Sequence, residues 1–165
     1  MILDRGVRVS LFYGDADYIC NWFGGQAISL ALNYTHSAEF AAADYAPFTY
    51  GGVEYGEVRQ YGNFSFLRVY EAGHEVPYYQ PQAALALFNR SISLVNLADG
   101  TEAITSDLSS SGSANATHTA SAPALPPTSS AGYAAWSSSL VLSYSSLDEE
   151  VPPPTATPYA ERFRA

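Results

Sequence analysis

Hydrophobic and polar positions change rhythm several times along this chain, and each rhythm predicts an element. Val7 to Tyr13, "VRVSLFY", is a β-branched and aromatic run closed by Gly14, which predicts a strand buried on at least one face, followed by an acidic loop over Asp15 to Asp17. From Asn21 the spacing of Trp22, Ala27, Ile28, Ala31 and Leu32 predicts a helix capped near Asn21, with Gly24 and Gly25 weakening its first turns. Ser37 to Tyr55 is rich in Ala, Tyr and Gly without a clean period and reads as a helical turn followed by a long loop. Glu57 to Tyr61 and Phe64 to Tyr70 flank a Gly62-Asn63 turn, the signature of a hairpin. After the loop "HEVPYY", Gln80 to Val95 predicts a helix with Pro81 in its first turn and Leu85, Leu87, Phe88, Ile92 and Val95 as its apolar stripe.

From Ala98 the composition shifts to Ser, Thr, Ala, Pro and Gly, in "SDLSSSGSANATHTASAPALPPTSS" and "VPPPTATP". Such a stretch lacks the apolar surface that offsets chain entropy. The expected organisation is therefore a structured segment over residues 1–97 and a disordered tail over 98–165, a candidate O-glycosylated stalk. The order strand, acidic loop, helix, hairpin, His loop, helix is that of the last part of an open α/β sheet. Ligands in such sheets sit beyond the C-terminal ends of strands, where the loops around Asp17 and His74 both fall.

Charge narrows the partners. Seven Arg, no Lys and sixteen acidic residues give a formal charge of −9, which argues against nucleic acid or an anionic membrane surface. No apolar run approaches the roughly 20 residues that span a bilayer. A single Cys excludes an internal disulfide framework, and the charged pair in "ILDRGVRVSLFYG" interrupts what would have to be a signal-peptide core, so no targeting signal is visible. Four glycosylation sequons nevertheless occur, at Asn33, Asn63, Asn89 and Asn115, against the alternative of coincidence in a Ser/Thr-rich chain. As a set they suggest a secretory-pathway ancestry.

The stretch "FYGDADYICNW" concentrates candidate chemistry. Asp15, Asp17, Cys20 and a distant His are metal-ligating in type, but there is no second Cys, no His-x3-His and no acidic loop of EF-hand length, so no metal is expected. Turn aspartates that hydrogen-bond nearby backbone N–H groups are the simpler account of Asp15 and Asp17. Cys20 as a nucleophile would need a neighbouring His and a helix start; a small packing residue is the blander reading. His74, between Gly73 and Glu75, follows a strand, and an acid on one strand-end loop with a His on the next is the Asp and His order of an α/β-hydrolase triad. The Gly-x-Ser-x-Gly elbow of that chemistry occurs nowhere in the 165 residues.

"YGDADYICNWFGG" (Tyr13 to Gly25) together with "FLRVYEAGHEVPYYQPQAALALF" (Phe66 to Phe88) resembles the C-terminal part of the serine carboxypeptidases, the carboxypeptidase Y-like peptidase family. The resemblance runs from about Val7 to Val95 and covers none of the tail. It implies an α/β-hydrolase sheet, no cofactor, and Asp17 and His74 as triad Asp and His. It further implies that Cys20 is a free thiol beside the substrate pocket, and that Glu75 lines the pocket for the departing C-terminal residue. The family's nucleophile elbow, oxyanion glycines, carboxylate-binding residues and disulfides have no counterpart here. The expected function is serine-type proteolysis of a peptide substrate, carried by a fragment inactive alone, in a secreted or vacuolar setting. The alternative is a non-catalytic remnant or a secreted glycoprotein or stalk module.

Overall fold

The computed structural model describes residues 1–116; the Ser/Thr/Ala/Pro-rich sequence beyond them, expected to be disordered, lies outside the described residues. After a 3-10 turn at Leu3–Arg5, the elements are β1 (Val9–Gly14), α1 (Trp22–Ala31), α2 (Ser37–Ala42), β2 (Tyr45–Tyr50), β3 (Val53–Tyr61), β4 (Phe64–Val69), α3 (Val76–Tyr79) and α4 (Pro81–Ile92). The four strands form one mixed sheet in the order β1-β4-β3-β2. β1 runs parallel to β4, with Val9 opposite Phe64 and Gly14 opposite Val69, while β3 is antiparallel to both β4 and β2.

β4 is the hinge of the architecture. Its residues alternate faces with period two: Phe64 and Phe66 enter a cluster with Trp22, Tyr34, Phe40 and Tyr45, whereas Leu67 and Val69 enter a second with Phe48, Val58, Ala83, Ala86, Leu87 and Leu97. Helices α1 and α2 therefore cover one face and α4 the other. Burial on both faces explains why "FSFLRV" reads as a nearly continuous apolar run. Phe66 is fully buried with its ring 5.9 Å from that of Tyr13. Phe66→Ala is expected to destabilise the fold by about 3–5 kcal/mol, measured as a lower urea midpoint at unchanged slope.

Helix α1 starts where the sequence places it: the Asn21 side chain accepts from the Gly24 N–H at 2.9 Å. Its inner face is Trp22, Gly25 and Ser29, and Ile28 of the expected stripe is exposed. Gly25 permits that approach, since a Cβ there would stand 2.3 Å from the Tyr13 ring.

Three expectations need correction. The long loop read before Tyr55 contains an edge strand, β2, whose Pro47 is exposed and whose signal comes from pairing with β3 rather than from its own pattern. The stripe of α4 is displaced: Ala83, Ala86, Leu87 and Arg90 face inward, while Phe88 and Ile92 are 60% and 63% exposed. Small residues let the helix approach the sheet, and the Arg90 guanidinium donates to the carbonyls of Leu97, Ala98 and Thr49. Finally, residues 98–116 do not behave as tail. Tyr45 and Ser113 exchange backbone hydrogen bonds of 2.7 and 2.9 Å, Thr49 N–H donates to the Ala98 carbonyl, and Ile104 is buried. Backbone bonds to a sheet edge, together with short turns in which Asn96 and Asp99 accept from following N–H groups, order a segment whose composition alone argues for disorder.

Candidate active site

Two parallel strands, β1 and β4, end side by side, and the chain leaving each is tied to the other. Asp15 N–H donates to the Val69 carbonyl at 2.9 Å and Ala16 N–H to the Ala72 carbonyl at 3.0 Å. Beyond β4, Glu71 takes a left-handed backbone (φ 51°), which turns the chain so that residues 72–74 lie beneath the end of β1. Gly14 leaves the room for this crossing: a Cβ on it would stand 2.2 Å from the Ala72 carbonyl oxygen.

The crossing brings Asp17 against His74. Imidazole Nδ1 and carboxylate Oδ2 are 2.9 Å apart, although 57 positions separate the residues. Oδ1 of the same carboxylate accepts the N–H groups of Ile19 and Cys20, each at 3.0 Å, so both oxygens of a buried aspartate are committed. Burial pushes the Asp17 carboxyl up, but the hydrogen bonds from His74 and from the two amides outweigh it and hold the group below the ordinary aspartate value. An ionised carboxylate only accepts, so Nδ1 carries a proton, and the neutral imidazole held this way has its lone pair on Nε2. The His74 side chain is 63% exposed, so the ring is anchored on one edge and open to solvent. The acid of an Asp–His pair is thus buried and oriented, and its histidine is presented outward.

Cys20 is a free, exposed thiol on the same loop. Glu75 is exposed at the start of α3, where its carbonyl accepts from Tyr78 N–H. The turn reading of the two aspartates is redistributed: Asp17 makes the backbone hydrogen bonds, whereas the Asp15 carboxylate meets Arg68 at 3.5 Å.

A family model described as serine carboxypeptidase matches residues 1–94, the span that contains both strand ends and both loops. The chain belongs to the serine carboxypeptidase family. Among its relatives, carboxypeptidase S1 homolog A of Arthroderma otae is 50% identical over 119 residues, covering 71% of this chain and 18% of the relative. Carboxypeptidase S1 of Penicillium janthinellum is 48% identical over 91 residues, 55% of this chain and 22% of the relative. Carboxypeptidase Y of Schizosaccharomyces pombe is 44% identical over 88 residues, 53% of this chain and 9% of the relative. The chain thus spans between 9% and 22% of the length of these relatives.

Sequence reasoning missed the serine carboxypeptidase segment's supporting residues. Arg68 lies 3.1 Å from Glu57 and 3.5 Å from Asp15, with its guanidinium 4.2 Å above the Trp22 ring, so it clamps both ends of the loop that carries Asp17 and Cys20. Burial pushes the Glu57 carboxyl up, against the pull of the Arg68 charge and hydrogen bond. An arginine at an inward-facing position of a buried strand was the available signal. The sequons also separate. Asn33 and Asn115 are exposed and Asn89 is half-buried. Asn63 is buried, and its amide nitrogen donates to the carbonyls of Leu3 and Val7, so a glycan on that nitrogen is incompatible with this fold. Among the described residues no helix is long and apolar enough to cross a membrane.

Proposed function

We propose that this chain supplies the Asp and His of a serine-type carboxypeptidase that releases C-terminal residues from peptides, with Asp17 as the orienting acid and His74 as the general base. The 2.9 Å contact between His74 Nδ1 and Asp17 Oδ2 carries the reading, because it sets the tautomer that leaves Nε2 free to accept a proton. In that reaction Nε2 takes the proton of a serine hydroxyl as Oγ attacks the scissile carbonyl, then returns it to the departing amino acid, while Asp17 stabilises the imidazolium formed in between. Cys20 forms pocket wall beside the reacting atoms, and Glu75 faces the departing residue. The relatives named carboxypeptidases support the substrate class.

The sheet is part of a larger α/β-hydrolase sheet on this reading. β1 is one of its two edge strands among the described residues, and Phe12, Phe23, Phe88 and Ile92 expose apolar surface around it. A secreted or vacuolar setting suits the acidic charge and the accessible sequons Asn33 and Asn115.

No Gly-x-Ser-x-Gly occurs in the 165 residues, and on this reading the serine comes from another segment. The test is release of the C-terminal residue from a blocked dipeptide at mildly acidic pH. Activity is expected when this segment is joined to one bearing the elbow, and none from the 165 residues alone. Turnover by the 165 residues alone that His74→Ala abolishes would show that the nucleophile is already here.

A further inference from the structure

We propose that Asp17, Cys20 and His74 together form a binding site for a thiophilic divalent cation of the zinc class. Among the described residues these three offer a carboxylate oxygen, a sulfur and an imidazole nitrogen that all lie within 4.8 Å of one another. Zinc bonds of about 2.0–2.3 Å place tetrahedral donors roughly 3.3–3.8 Å apart, so the site must contract by about 1 Å along its longest edge. The contraction falls on side chains free to make it: Cys20 is exposed and His74 is 63% exposed, so neither gives up core packing by turning inward.

The third donor is already oriented. Asp17 Oδ1 is occupied by the Ile19 and Cys20 amides, which leaves Oδ2 facing the imidazole. Such outer hydrogen bonds fix a ligand before the metal arrives. One of them comes from the backbone of Cys20 itself, so the carboxylate and the thiol belong to a single tight turn. The donor set decides the class of cation. Calcium and magnesium require an all-oxygen shell, whereas a thiolate, an imidazole and one carboxylate select zinc and its neighbours. On binding, the thiol proton leaves to solvent, and the thiolate and carboxylate together balance the two positive charges. Solvent completes the fourth position.

Binding stands apart from catalysis, but its consequence rests on the function proposed above. Coordination through Nδ1 requires its proton to move to Nε2 and replaces the hydrogen bond that orients the ring, whereas coordination through Nε2 takes the lone pair that acts as base. Either way the loaded site is switched off, reversibly and through three donors, which distinguishes it from capture of the lone thiol.

Cobalt(II) is the probe, titrated into the 165-residue chain and followed by absorption, with zinc then added as competitor. A thiolate-to-cobalt charge-transfer band with visible bands of tetrahedral intensity is expected, and zinc should abolish both. Cys20→Ser should remove the charge-transfer band, and Asp17→Asn and His74→Ala should each weaken cobalt binding roughly tenfold or more. His74→Ala alters an exposed side chain, so its reading does not depend on how Asp17→Asn folds. Absence of the charge-transfer band, or cobalt binding unchanged in His74→Ala, overturns the proposal. No step requires hydrolysis, so a failed peptidase assay leaves the cobalt result intact.

Discussion

Asp17→Asn, made in an active polypeptide that contains this segment, is expected to lower kcat by about four orders of magnitude and to leave KM nearly unchanged. The geometry explains why so small a change acts so strongly. An asparagine can keep its oxygen on the Ile19 and Cys20 amides, which sit 3.0 Å from Oδ1. Its NH2 group then faces His74 Nδ1 at the position Oδ2 held. Two donors cannot share that contact, so the imidazole moves its proton to Nε2 and presents an N–H where the mechanism needs a lone pair. His74→Ala should cost at least as much, and the double variant little more than His74→Ala, because the two residues act as one unit. Independent, additive losses would show that they do not. pH provides a second readout. The Asp17 carboxyl lies below its ordinary value in the folded protein, so its ionised form contributes stability that is complete above the unfolded aspartate value of about 3.9 and is lost as pH falls through the lowered folded one. In Asp17→Asn that component of acid sensitivity should vanish from a urea-denaturation series taken at falling pH.

What was legible in the sequence were the features written locally. The cap at Asn21, the Gly62-Asn63 turn and Pro81 at a helix start each act over a few residues, and α1, the β3–β4 hairpin and α4 begin or turn where those signals stand. Features created by pairing were not legible. β2 exists because β3 offers it a ladder, and residues 98–116 are ordered because β2, the end of β3 and the chain after α4 offer them backbone partners. The inner face of α4 was misread for a related reason. A hydrophobic stripe is a good guide when a helix lies on bulky neighbours, but here Ala83 and Ala86 bring it close and Arg90 finds three carbonyls to bond. The candidate site was legible in its members and not in its support. Asp17 and His74 stand on loops at strand ends, whereas the Arg68 clamp depends on which strands are neighbours.

Gly14→Ala is expected to separate the same pair without touching either residue. A Cβ at this position would lie 2.2 Å from the Ala72 carbonyl oxygen and 2.5 Å from that of Gly73. Both are backbone atoms, so no rotamer change relieves the clash, and the end of β1 must part from the chain that carries His74. Hydrogen bonds from Asp15 and Ala16 to the Val69 and Ala72 carbonyls close that junction, and they would stretch first. A displacement of about 1 Å between acid and base is enough to lower kcat roughly a hundredfold, with about 1–3 kcal/mol of lost stability from overpacking. In the 165-residue chain the readout is the His74 Nδ1 proton, whose hydrogen-bonded NMR signal should disappear. Gly24→Ala is the matched control: its Cβ would meet nothing closer than the Asn21 side-chain oxygen at 3.6 Å, on the exposed side of α1. That substitution should be neutral or stabilising by up to about 1 kcal/mol. The same methyl group thus has opposite consequences ten residues apart. Equal behaviour of the two variants would mean that the close crossing at Gly14 does not hold Asp17 to His74.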